Sequence, residues 1–338
     1  MEHKPLNIII ENKIPFISGL LDDVANVNYL SPYIITPAAV KDADAMIIRT
    51  RTRCNADLLD GSRCRFIATA TIGTDHIDLD YCRRQGITVV NAPGCNAPAV
   101  AQYVFASILH ILGENVSGLT LGVTGVGHVG SIVAEWGRQL GMRVLLCDPP
   151  RAEMEGRDHF DPLQRLAEEC DIITFHTPLT KSGAHPTFHL ADDSFVDALA
   201  RKPILINSAR GSVFDTKAIL RGIDNGKISN VIVDCWENEP CIDKTLLDKA
   251  AIATPHIAGY SSEGKIRATQ AAVKALTEHF NLPKPEFKHN VAPGAAKRVD
   301  AQSISTSYSP AADTAALKSR PEQFESLRNE YHYRNEVR

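Results

Sequence analysis

An arginine, a glutamate and a histidine in the second half of the chain each follow a predicted strand, and together they could bind and deprotonate an acidic substrate. These residues are Arg210, Glu239 and His256. Arginine grips a carboxylate with two parallel N–H groups, which lysine cannot do. Histidine titrates near neutrality, and a carboxylate beside it orients the ring and favours its charged form. We therefore predict these three residues as catalytic, although each alone is as consistent with a surface turn, a solvated acid or a core histidine.

A glycine-rich segment between a predicted strand and a predicted helix could hold the phosphates of a dinucleotide. Residues 125–130 fit the pattern G-x-G-x-x-G. In such a loop the first glycine makes a tight turn, the second lets the backbone approach a pyrophosphate, and the third lets helix and strand pack closely. The helix N-terminus adds unpaired N–H groups and the positive end of its dipole. We predict a cofactor-binding loop made of Gly125, Gly127, His128, Val129 and Gly130.

The next predicted strand ends in an acid, Asp148, which lies 18 residues after Gly130. An acid about 20 residues beyond the glycine loop binds the ribose hydroxyls of NAD in this type of site, and its charge repels the 2′-phosphate of NADP. The spacing therefore favours NAD. Arg151 favours NADP instead, since an arginine accepts such a phosphate. The alternative role of Asp148 is to cap a helix or a turn before Pro149 and Pro150.

Short β-branched runs alternate with helical patterns along most of the chain, which is typical of parallel sheets covered by helices on both faces. Five predicted strands come first, then one long apolar helix over residues 98–112, then six further strands. The six-strand series suits a complete dinucleotide-binding fold. The predicted strands are residues 6–10, 24–30, 45–49, 65–70 and 87–90, and then 119–124, 143–147, 171–175, 203–207, 230–233 and 251–254.

These elements predict an α/β protein with two doubly wound parallel-sheet domains and a short C-terminal extension. A Rossmann-type NAD-binding domain, residues 96–256, is inserted into a flavodoxin-like substrate-binding domain, residues 1–95 and 257–282, to which a helix over residues 261–280 returns. We expect the cofactor and the substrate in a cleft between the two domains. The tail, residues 283–338, is rich in proline, alanine, serine and charge, and we expect a loosely packed extension or an assembly arm.

Composition and charge narrow the range of partners. With 36 basic and 40 acidic residues the formal net charge is -4, which gives no reason to expect nucleic acid or an anionic membrane. The eight cysteines include no Cys-x-x-Cys pair, so we expect reduced thiols and no metal site. No apolar run approaches the roughly 18 residues of a membrane helix, and none near the start suits a signal peptide. We expect a cytoplasmic protein with a small-molecule substrate.

The glycine loop, the Ser-Ala-Arg-Gly turn, the Asp-x-Trp-x-x-Glu-Pro segment and the Pro-His-Ile-Ala-Gly segment, in this order, resemble the D-isomer-specific 2-hydroxyacid dehydrogenases. The resemblance implies hydride transfer from the 2-hydroxyl carbon of a small acid to NAD. It implies that Arg210 binds the substrate carboxylate, that His256 is the acid/base and that Glu239 orients His256. It also implies cofactor contacts from Thr177, Ser208, Ala209, Arg210, Asp234 and Gly259.

Further segments resemble one branch of this family, which oxidises 4-phospho-D-erythronate in the synthesis of vitamin B6 and forms homodimers. This narrower resemblance implies that Thr50, Thr71 and Tyr260 contact the substrate and that the protein is a homodimer. Residues 311–336 resemble part of the branch's C-terminal dimerisation domain, in a shortened form. The other matching segments are residues 68–76, 92–97, 146–151, 174–179 and 256–260.

The phosphate of such a substrate needs its own hydrogen-bond donors. Two acidic groups on one small molecule require at least one cation besides Arg210. The Thr-Arg-Thr-Arg run that follows the third predicted strand offers hydroxyl and guanidinium groups at a strand end. On their charge, we add Arg49 and Arg51 to the predicted substrate site.

Two alternatives stay open. The chain could be a dehydrogenase for another phosphorylated 2-hydroxy acid, such as 3-phosphoglycerate. It could also be a binding protein on the same fold that senses NAD without catalysis, since such proteins can keep the arginine, the glutamate and the histidine. The Thr-Arg-Thr-Arg run and the segments around it favour the enzyme over the sensor.

Overall fold

The chain folds as two compact units of parallel-sheet α/β structure. The computed structural model describes residues 5–291 and 294–338. Within these ranges, unit 1 runs to Asn96 and resumes at Ser262, whereas unit 2 comprises Ala97–Ser261 and Gly294–Arg338. Two boundaries differ from the sequence prediction. Residues 257–261 and the tail from Gly294 belong to unit 2, because both are hydrogen-bonded to its sheet and helices.

The described part of unit 1 contains five strands, all parallel, and they form one sheet. Its elements, numbered in chain order, are β1 (Asn7–Glu11), β2 (Asn26–Leu30), α1 (Pro37–Val40), β3 (Ala45–Ile48), α2 (Ala56–Leu59), β4 (Phe66–Thr69), α3 (Leu79–Arg84), β5 (Thr88–Val90) and the returning helix α11 (Ser262–His279). The strand order β2-β1-β3-β4-β5 is the flavodoxin-like order, which confirms the predicted topology. Strands β3 and β4 are buried on both faces, which explains their unbroken apolar runs.

Unit 2 is built on a second parallel sheet, with six strands among residues 97–261. Its elements are α4 (Ala97–Leu112), β6 (Thr120–Thr124), α5 (His128–Gln139), β7 (Arg143–Cys147), α6 (Pro149–Glu155), α7 (Leu163–Glu169), β8 (Ile172–Phe175), α8 (Asp193–Ala198), β9 (Ile204–Asn207), α9 (Thr216–Asp224), β10 (Asn230–Val233), α10 (Lys244–Lys249) and β11 (Ile252–Ala253). The strand order is β11-β10-β9-β8-β6-β7. In β9, Ile204 and Ile206 pack into one core and Leu205 into the other, so both faces are covered.

Helix α4 is buried over residues 97–109, as its nearly continuous apolar sequence predicts. It packs against α5, and the rings of Phe105 and Trp136 lie 6.1 Å apart in the shared core. Among the helices of residues 5–291 and 294–338, none combines the length and hydropathy that a membrane span needs.

From Gly294 onwards the tail is a packed part of unit 2 rather than the loosely packed extension that was one of the two expectations. Its helices are α12 (Ala301–Ser307), α13 (Ala311–Ser319) and α14 (Phe324–Asn329). Each contributes one fully buried side chain to the cores of the unit, namely Ile304, Leu317 and Phe324. Helices this short depend on tertiary packing for their stability. Their apolar pattern is too brief to show in the sequence, and for this reason the prediction was wrong.

All eleven predicted strands are present, with ends shifted by two residues or fewer. Two helices of the unit 2 sheet, α6 and α10, were not predicted. Helix α6 begins with Pro149 and Pro150, so of the helix cap and the turn cap that the sequence left open for Asp148 the helix cap is correct. Proline is favoured in the first turn of a helix, where its missing N–H has no partner to lose.

Candidate active site

The predicted site residues of unit 2 lie on loops that leave the carboxyl ends of its strands. Open parallel sheets bind ligands at this edge, near the point where the strand order reverses. In unit 2 the order reverses at β6, since β7 extends the sheet on one side of it and β8 on the other. The glycine loop follows β6 and Thr177 follows β8. Arg210, Glu239 and His256 follow β9, β10 and β11, and the last of these loops also carries Gly259.

Steric contacts within unit 2 require glycine at two of the three glycine positions of the loop. Gly125 has a φ of +85°, and a Cβ there would lie 2.8 Å from the backbone of His176 and Thr177. A Cβ on Gly130 would lie 2.0 Å from the carbonyl oxygen of Gly125. At Gly127, by contrast, a Cβ would meet nothing within 4 Å. Gly127 caps the N-terminus of α5, so its bare backbone faces the open space that a bound phosphate would fill.

Asp148 both caps a helix and holds the glycine loop. Its Oδ1 accepts the N–H of Arg151 at 3.1 Å as the N-cap of α6, and its Oδ2 accepts the N–H of Val126 at 2.8 Å. The alternative role as a cap is therefore present, and it is compatible with ribose binding because each carboxylate oxygen has a further lone pair. Arg151 is held by Glu155 through two bonds of 2.7 Å. An arginine engaged in this way is not poised for the 2′-phosphate of NADP, so the local arrangement favours NAD.

The remaining predicted cofactor residues suit a dinucleotide. Thr177 lies beside the glycine loop, and its buried hydroxyl has no hydrogen-bond partner among the described residues. The hydroxyl of Ser208 lies 3.5 Å from Nδ1 of His176, whose pKa is lowered to about 3 by burial, so this ring is neutral. His128 and Val129 begin α5. An unpartnered hydroxyl, a bare glycine and a helix N-terminus are donors that NAD could use, so the residues present fit this cofactor.

Asn207 joins the arginine loop to the glutamate segment. Its buried side-chain amide donates to the carbonyl of Arg210 at 3.0 Å and to the carbonyl of Cys235 at 3.3 Å. Its Oδ1 accepts the N–H of Ala209 at 3.1 Å. The sequence analysis did not include Asn207 among the site residues, because an asparagine at a strand end is common in turns.

The same two loops also touch through Gly211. A Cβ on Gly211 would lie 1.8 Å from the carbonyl oxygen of Trp236, so only glycine allows the loops to come this close. Arg210, the residue before it, is half-buried and donates from Nη1 to the carbonyl of Ala209 at 2.8 Å. The contact brings the loop of the predicted substrate arginine against the segment that carries Glu239.

His256 and Glu239 are directly bonded. Nδ1 of His256 lies 2.8 Å from Oε2 and 3.1 Å from Oε1 of Glu239. The carboxylate is fixed in turn by the backbone N–H of Trp236, which donates to Oε1 at 2.8 Å. The two side chains are 27% and 19% exposed, so a ligand can still reach them. A carboxylate on Nδ1 is the arrangement that orients a catalytic imidazole.

The charges around His256 favour its protonated form. Burial lowers the pKa of the ring, but the charge of the adjacent Glu239 carboxylate and its hydrogen bond raise it, and the pKa lies above the ordinary 6.5. Burial raises the pKa of the Cys235 thiol, so the sulfur is protonated at neutral pH and Glu239 is the anion beside the ring. Burial also opposes ionisation of Glu239, yet His256 and the N–H of Trp236 hold the pKa of its carboxyl below the ordinary 4.5.

Asp234 holds the loop that follows His256. Its buried carboxylate accepts the N–H groups of Ile257 and Ala258 at 2.7 and 3.0 Å and the hydroxyl of Thr254 at 2.7 Å. His256 has a φ of +57°, in the left-handed region that is uncommon for a residue with a side chain. Such a conformation persists where the surrounding bonds fix the backbone. The structure gives Asp234 a loop-holding role, and its predicted contact with the cofactor stays a prediction.

Tyr260, predicted to contact the substrate, is surrounded by side chains from the tail. Arg328 of α14 donates from Nε to the Tyr260 hydroxyl at 3.2 Å, and its Nη1 lies 4.0 Å from Oε2 of Glu239. The rings of Tyr331 and Tyr333 each lie 6.1 Å from the Tyr260 ring, edge to face. Arg328 therefore adds a cation beside the histidine–glutamate pair. Sequence reasoning missed it, because a basic and aromatic tail is too general a signal to single out one arginine.

The predicted phosphate donors lie on unit 1, just after the carboxyl end of β3. Thr50 and Arg51 are exposed, and Arg49 is half-buried. Arg49 donates from Nη1 to the carbonyl of Lys13 at 2.9 Å, so part of its guanidinium is hydrogen-bonded within unit 1. The buried carboxylate of Glu11, at the end of β1, accepts the backbone N–H of Arg49 at 2.9 Å and fixes the start of this loop.

Thr71 follows β4, the neighbour of β3, at the same edge of the unit 1 sheet. Its hydroxyl lies 2.7 Å from that of Thr69 and 3.2 Å from the carbonyl of Gly73. The Thr69 hydroxyl also lies 3.2 Å from Nε2 of His76, whose pKa is lowered to about 4 by burial. Unit 1 thus carries threonine hydroxyl groups and two arginines, of which Arg51 is exposed, after adjacent strand ends.

Two groups of side chains in the described residues place possible metal-ligand atoms within 4.8 Å of one another, namely Cys235, Glu239 and His256, and His189, Asp215 and Glu237. The first is the acid–base pair with a protonated thiol. In the second, Nε2 of His189 lies 2.8 Å from Glu237, which also accepts the N–H of Thr216 at 3.0 Å. These atoms are hydrogen-bond partners of one another, and the prediction of no metal site stays a prediction.

Comparison with known proteins agrees with this geometry. Residues 99–258 match the family model described as D-isomer specific 2-hydroxyacid dehydrogenase, NAD binding domain. The erythronate-4-phosphate dehydrogenase of Bacteroides thetaiotaomicron is 47% identical over 98% of this chain and 97% of its own length. The enzyme of the same name from Porphyromonas gingivalis is 40% identical over 98% of this chain and 94% of its own length. These alignments leave about 2% of this chain unaligned, so they include most of the tail.

A solved structure extends the likeness to three dimensions. The D-lactate dehydrogenase of Aquifex aeolicus, complexed with NAD and lactic acid, matches with a TM-score of 0.68 at 29% identity. The match covers 81% of this chain and 95% of the other. The predicted fold class, two parallel-sheet α/β domains, is confirmed.

Proposed function

Because this chain belongs to the erythronate-4-phosphate dehydrogenase family of D-isomer specific 2-hydroxyacid dehydrogenases, we propose that it oxidises 4-phospho-D-erythronate with NAD. The 2-hydroxyl group loses its proton and C2 loses a hydride. The product is the 2-oxo acid, (R)-3-hydroxy-2-oxo-4-phosphooxybutanoate. This reaction belongs to the biosynthesis of pyridoxal phosphate, vitamin B6.

Three side chains of unit 2 divide the chemistry. NAD, when bound at the glycine loop, supplies the hydride acceptor. Arg210 binds the substrate carboxylate with two N–H groups. His256 takes the proton of the 2-hydroxyl group as general base. Glu239 holds the ring through Nδ1 and stabilises the imidazolium that results.

The observation that carries this proposal is the bonded pair of His256 and Glu239 at the ligand-binding edge of the sheet. The 2.8 Å contact leaves the imidazole with one nitrogen fixed by a carboxylate and with part of its surface exposed. This geometry is that of a general acid/base, and it lies on the same strand edge as the glycine loop.

We assign the binding of the substrate phosphate to Thr50, Thr71, Arg49 and Arg51 of unit 1, whose hydroxyl and guanidinium groups suit an anion. Tyr260 adds a further hydroxyl. The support is chemical: the exposed Arg51, the half-buried Arg49 and two threonine hydroxyls follow the ends of adjacent strands. A phosphate there would explain why this family accepts an acid that carries two anionic groups.

The proposal is tested by following NADH absorbance while the purified protein is incubated with NAD and a panel of 2-hydroxy acids. The panel pairs 4-phospho-D-erythronate with 3-phosphoglycerate and with unphosphorylated D-lactate. We expect the highest kcat/KM with 4-phospho-D-erythronate, and much lower activity when NADP replaces NAD. The His256→Ala variant, prepared in the same way, serves as the blank for contaminating dehydrogenases.

Each alternative has its own outcome in this assay. A higher kcat/KM with 3-phosphoglycerate would replace the proposed substrate. If no acid in the panel yields NADH while calorimetry detects tight binding of NAD, the chain is a sensor and the proposed activity is wrong.

We also propose that the protein is a cytoplasmic homodimer. Seven of the eight cysteines are buried free thiols and Cys241 is an exposed one, which suits a reducing compartment. The dimer is implied by the resemblance of residues 311–336 to a dimerisation domain. Gel filtration with light scattering measures the mass: twice 36.9 kDa supports the dimer, and 36.9 kDa contradicts it.

A further inference from the structure

The C-terminal segment of the chain runs beside the loop that follows His256. Ser261 and Arg334 form a parallel backbone bridge. The hydroxyl of Ser261 donates to Oε1 of Glu336 at 2.7 Å, and both of these residues are buried. The last residues of the chain are therefore built into unit 2 next to its catalytic loop.

Both terminal nitrogens of the Arg334 guanidinium donate hydrogen bonds to backbone carbonyl groups. Nη1 donates to the carbonyls of Ile257 and Tyr260 at 3.2 and 3.1 Å, and Nη2 donates to the carbonyl of Ala258. Nη2 also donates to the carbonyl of Ala99 in α4 at 3.0 Å. A guanidinium carries five N–H donors in a fixed plane, whereas the ammonium of a lysine is a compact group that cannot span these carbonyls together.

The rest of the guanidinium is fixed as well. Nε donates to Oε1 of Gln102 at 3.1 Å, and the guanidinium carbon lies 4.4 Å from the centre of the Tyr308 ring. Gln102 is fully buried, and its amide donates to the hydroxyl of Ser307 at 2.9 Å and to the carbonyl of Asn335 at 3.0 Å. Arg334 is thus held against α4 and α12 and forms a rigid support for the loop.

Two opposite charges hold the backbone of the same two residues, one through their N–H groups and the other through their carbonyl groups. The N–H groups of Ile257 and Ala258 donate to the carboxylate of Asp234, and the carbonyl groups of the same two residues accept from Arg334. His256, with its left-handed backbone, comes immediately before this clamp. The direction in which the His256 side chain leaves the backbone therefore depends on both charges.

We propose that Arg334 is a positioning residue: from the tail, it fixes the 257–260 loop and so sets the orientation of His256 and Tyr260 without touching the reacting atoms. A displacement of about 1 Å in a catalytic group costs on the order of 10²-fold in rate. The proposal rests on the proposed function for its kinetic readout. It makes the tail a working part of the site, beyond any role in assembly.

The test compares Arg334→Ala and Arg334→Lys with Arg320→Ala, an exposed tail arginine that bonds locally to Gln323. We expect both Arg334 variants to lose about 10- to 10²-fold in kcat. The Kd for NAD should stay at the wild-type value, because the glycine loop is not held by Arg334. Added guanidinium, at concentrations that leave the wild type unaffected, should restore part of the kcat of Arg334→Ala, and equal ammonium should not. Arg320→Ala should behave as wild type.

Hydrogen exchange gives a readout that needs no substrate. The amide protons of Ile257 and Ala258 are hydrogen-bonded to Asp234. Because loss of Arg334 should loosen this loop, these amides should exchange faster in both Arg334 variants. The amides of β9 and β10 should exchange at the wild-type rate. A structural role alone would lower the Tm and speed exchange throughout unit 2. If wild-type protein turns over no hydroxy acid, the proposed function fails, and this exchange pattern still decides whether Arg334 holds the loop.

Three results would overturn the inference. One is wild-type kcat in either folded Arg334 variant. Another is a loss of kcat that disappears on cooling below the Tm of the variant, which would show stability rather than positioning. The third is unchanged exchange of the 257–260 amides. If Arg334→Ala does not fold, Arg334→Lys decides alone, since it keeps the charge and the apolar stem.

Discussion

The loop after β11 and the loop after β3 both leave the carboxyl end of a parallel strand, yet they are built differently. The first carries His256 and is clamped by Asp234 on its N–H side and by Arg334 on its carbonyl side. The second is tied at its start to Glu11 and leaves Arg51 exposed. One strand end is rigid and largely buried, and the other carries long side chains in solvent.

The difference follows from the chemistry that each loop is proposed to perform. Proton transfer requires heavy-atom distances of about 2.6–3.2 Å, so its groups must be held in place. Binding a phosphate with a long cationic side chain tolerates some freedom, since the charge can follow the ligand. Substitutions at the first loop should therefore lower kcat, and substitutions at the second should raise KM.

Replacing His256 by alanine tests the rigid loop with the largest expected effect. We expect kcat to fall by roughly 10²–10⁴-fold, the range for a lost general acid or base. KM for NAD should stay near its wild-type value, because the glycine loop is separate from the histidine. Initial rates of NADH formation measure both. His110→Ala, at the exposed end of α4, is the matched control. Near-normal turnover in His256→Ala would exclude this histidine from the proton transfer.

Glu239→Gln keeps the shape of the side chain and removes its charge. The pKa of His256 should fall, because the carboxylate helps to raise it, and kcat should fall about 10- to 10²-fold as the ring loses its orientation. The pH profile of oxidation should then move to lower pH. Glu237→Gln is the matched control, since Glu237 bonds to His189 instead. A profile that does not move would separate Glu239 from the acid–base step.

Arg51→Ala tests the exposed loop. We expect KM for 4-phospho-D-erythronate to rise about tenfold, equivalent to about 1.4 kcal/mol of binding free energy, with kcat unchanged. KM for an unphosphorylated acid should not change, because such an acid has no phosphate for the proposed cation to bind. Arg83→Ala on α3, whose partner is the exposed Asp80, is the control. A lower kcat with an unchanged KM would show that the two loops do not divide the work in this way.

Asp148→Ala should have the smallest effect on catalysis. We expect the preference for NAD over NADP to weaken, because the carboxylate no longer repels the 2′-phosphate. The lost cap of α6 should also cost about 1 kcal/mol of stability. Ratios of kcat/KM for the two cofactors and a thermal melt measure these two effects, with the exposed Asp158→Ala as the control. A lower Tm with an unchanged ratio would leave Asp148 as a cap alone.

The rigid loop also shows how far sequence reasoning reaches. The order of apolar strands and glycine-rich turns predicted both sheets, because the strands are short continuous runs with local signals. The pairing of His256 with Glu239 could be proposed because both follow strands of one parallel sheet. Both residues lie at the edge where such sheets bind ligands.

The support for that loop could not be predicted. Arg334 contacts Gln102 and Ala258, which lie 232 and 76 residues away along the chain, and no local pattern encodes such contacts. The position of Arg328 beside Glu239 could not be predicted for the same reason. The helices of the tail are too short to show a helical period, and their burial depends on the sheet of unit 2 being present first.

The central claim, that His256 moves the proton of the substrate, is tested most directly by pH profiles of kcat/KM measured in both directions. The Glu239 carboxylate raises the pKa of His256 above its ordinary value. Oxidation of the hydroxy acid needs the neutral ring, so its kcat/KM should increase as the pH rises through this pKa. Reduction of the 2-oxo acid needs the protonated ring and should decrease through the same pKa, which lies above 6.5. Two profiles that change in the same direction, or that do not depend on pH in this range, would contradict the account.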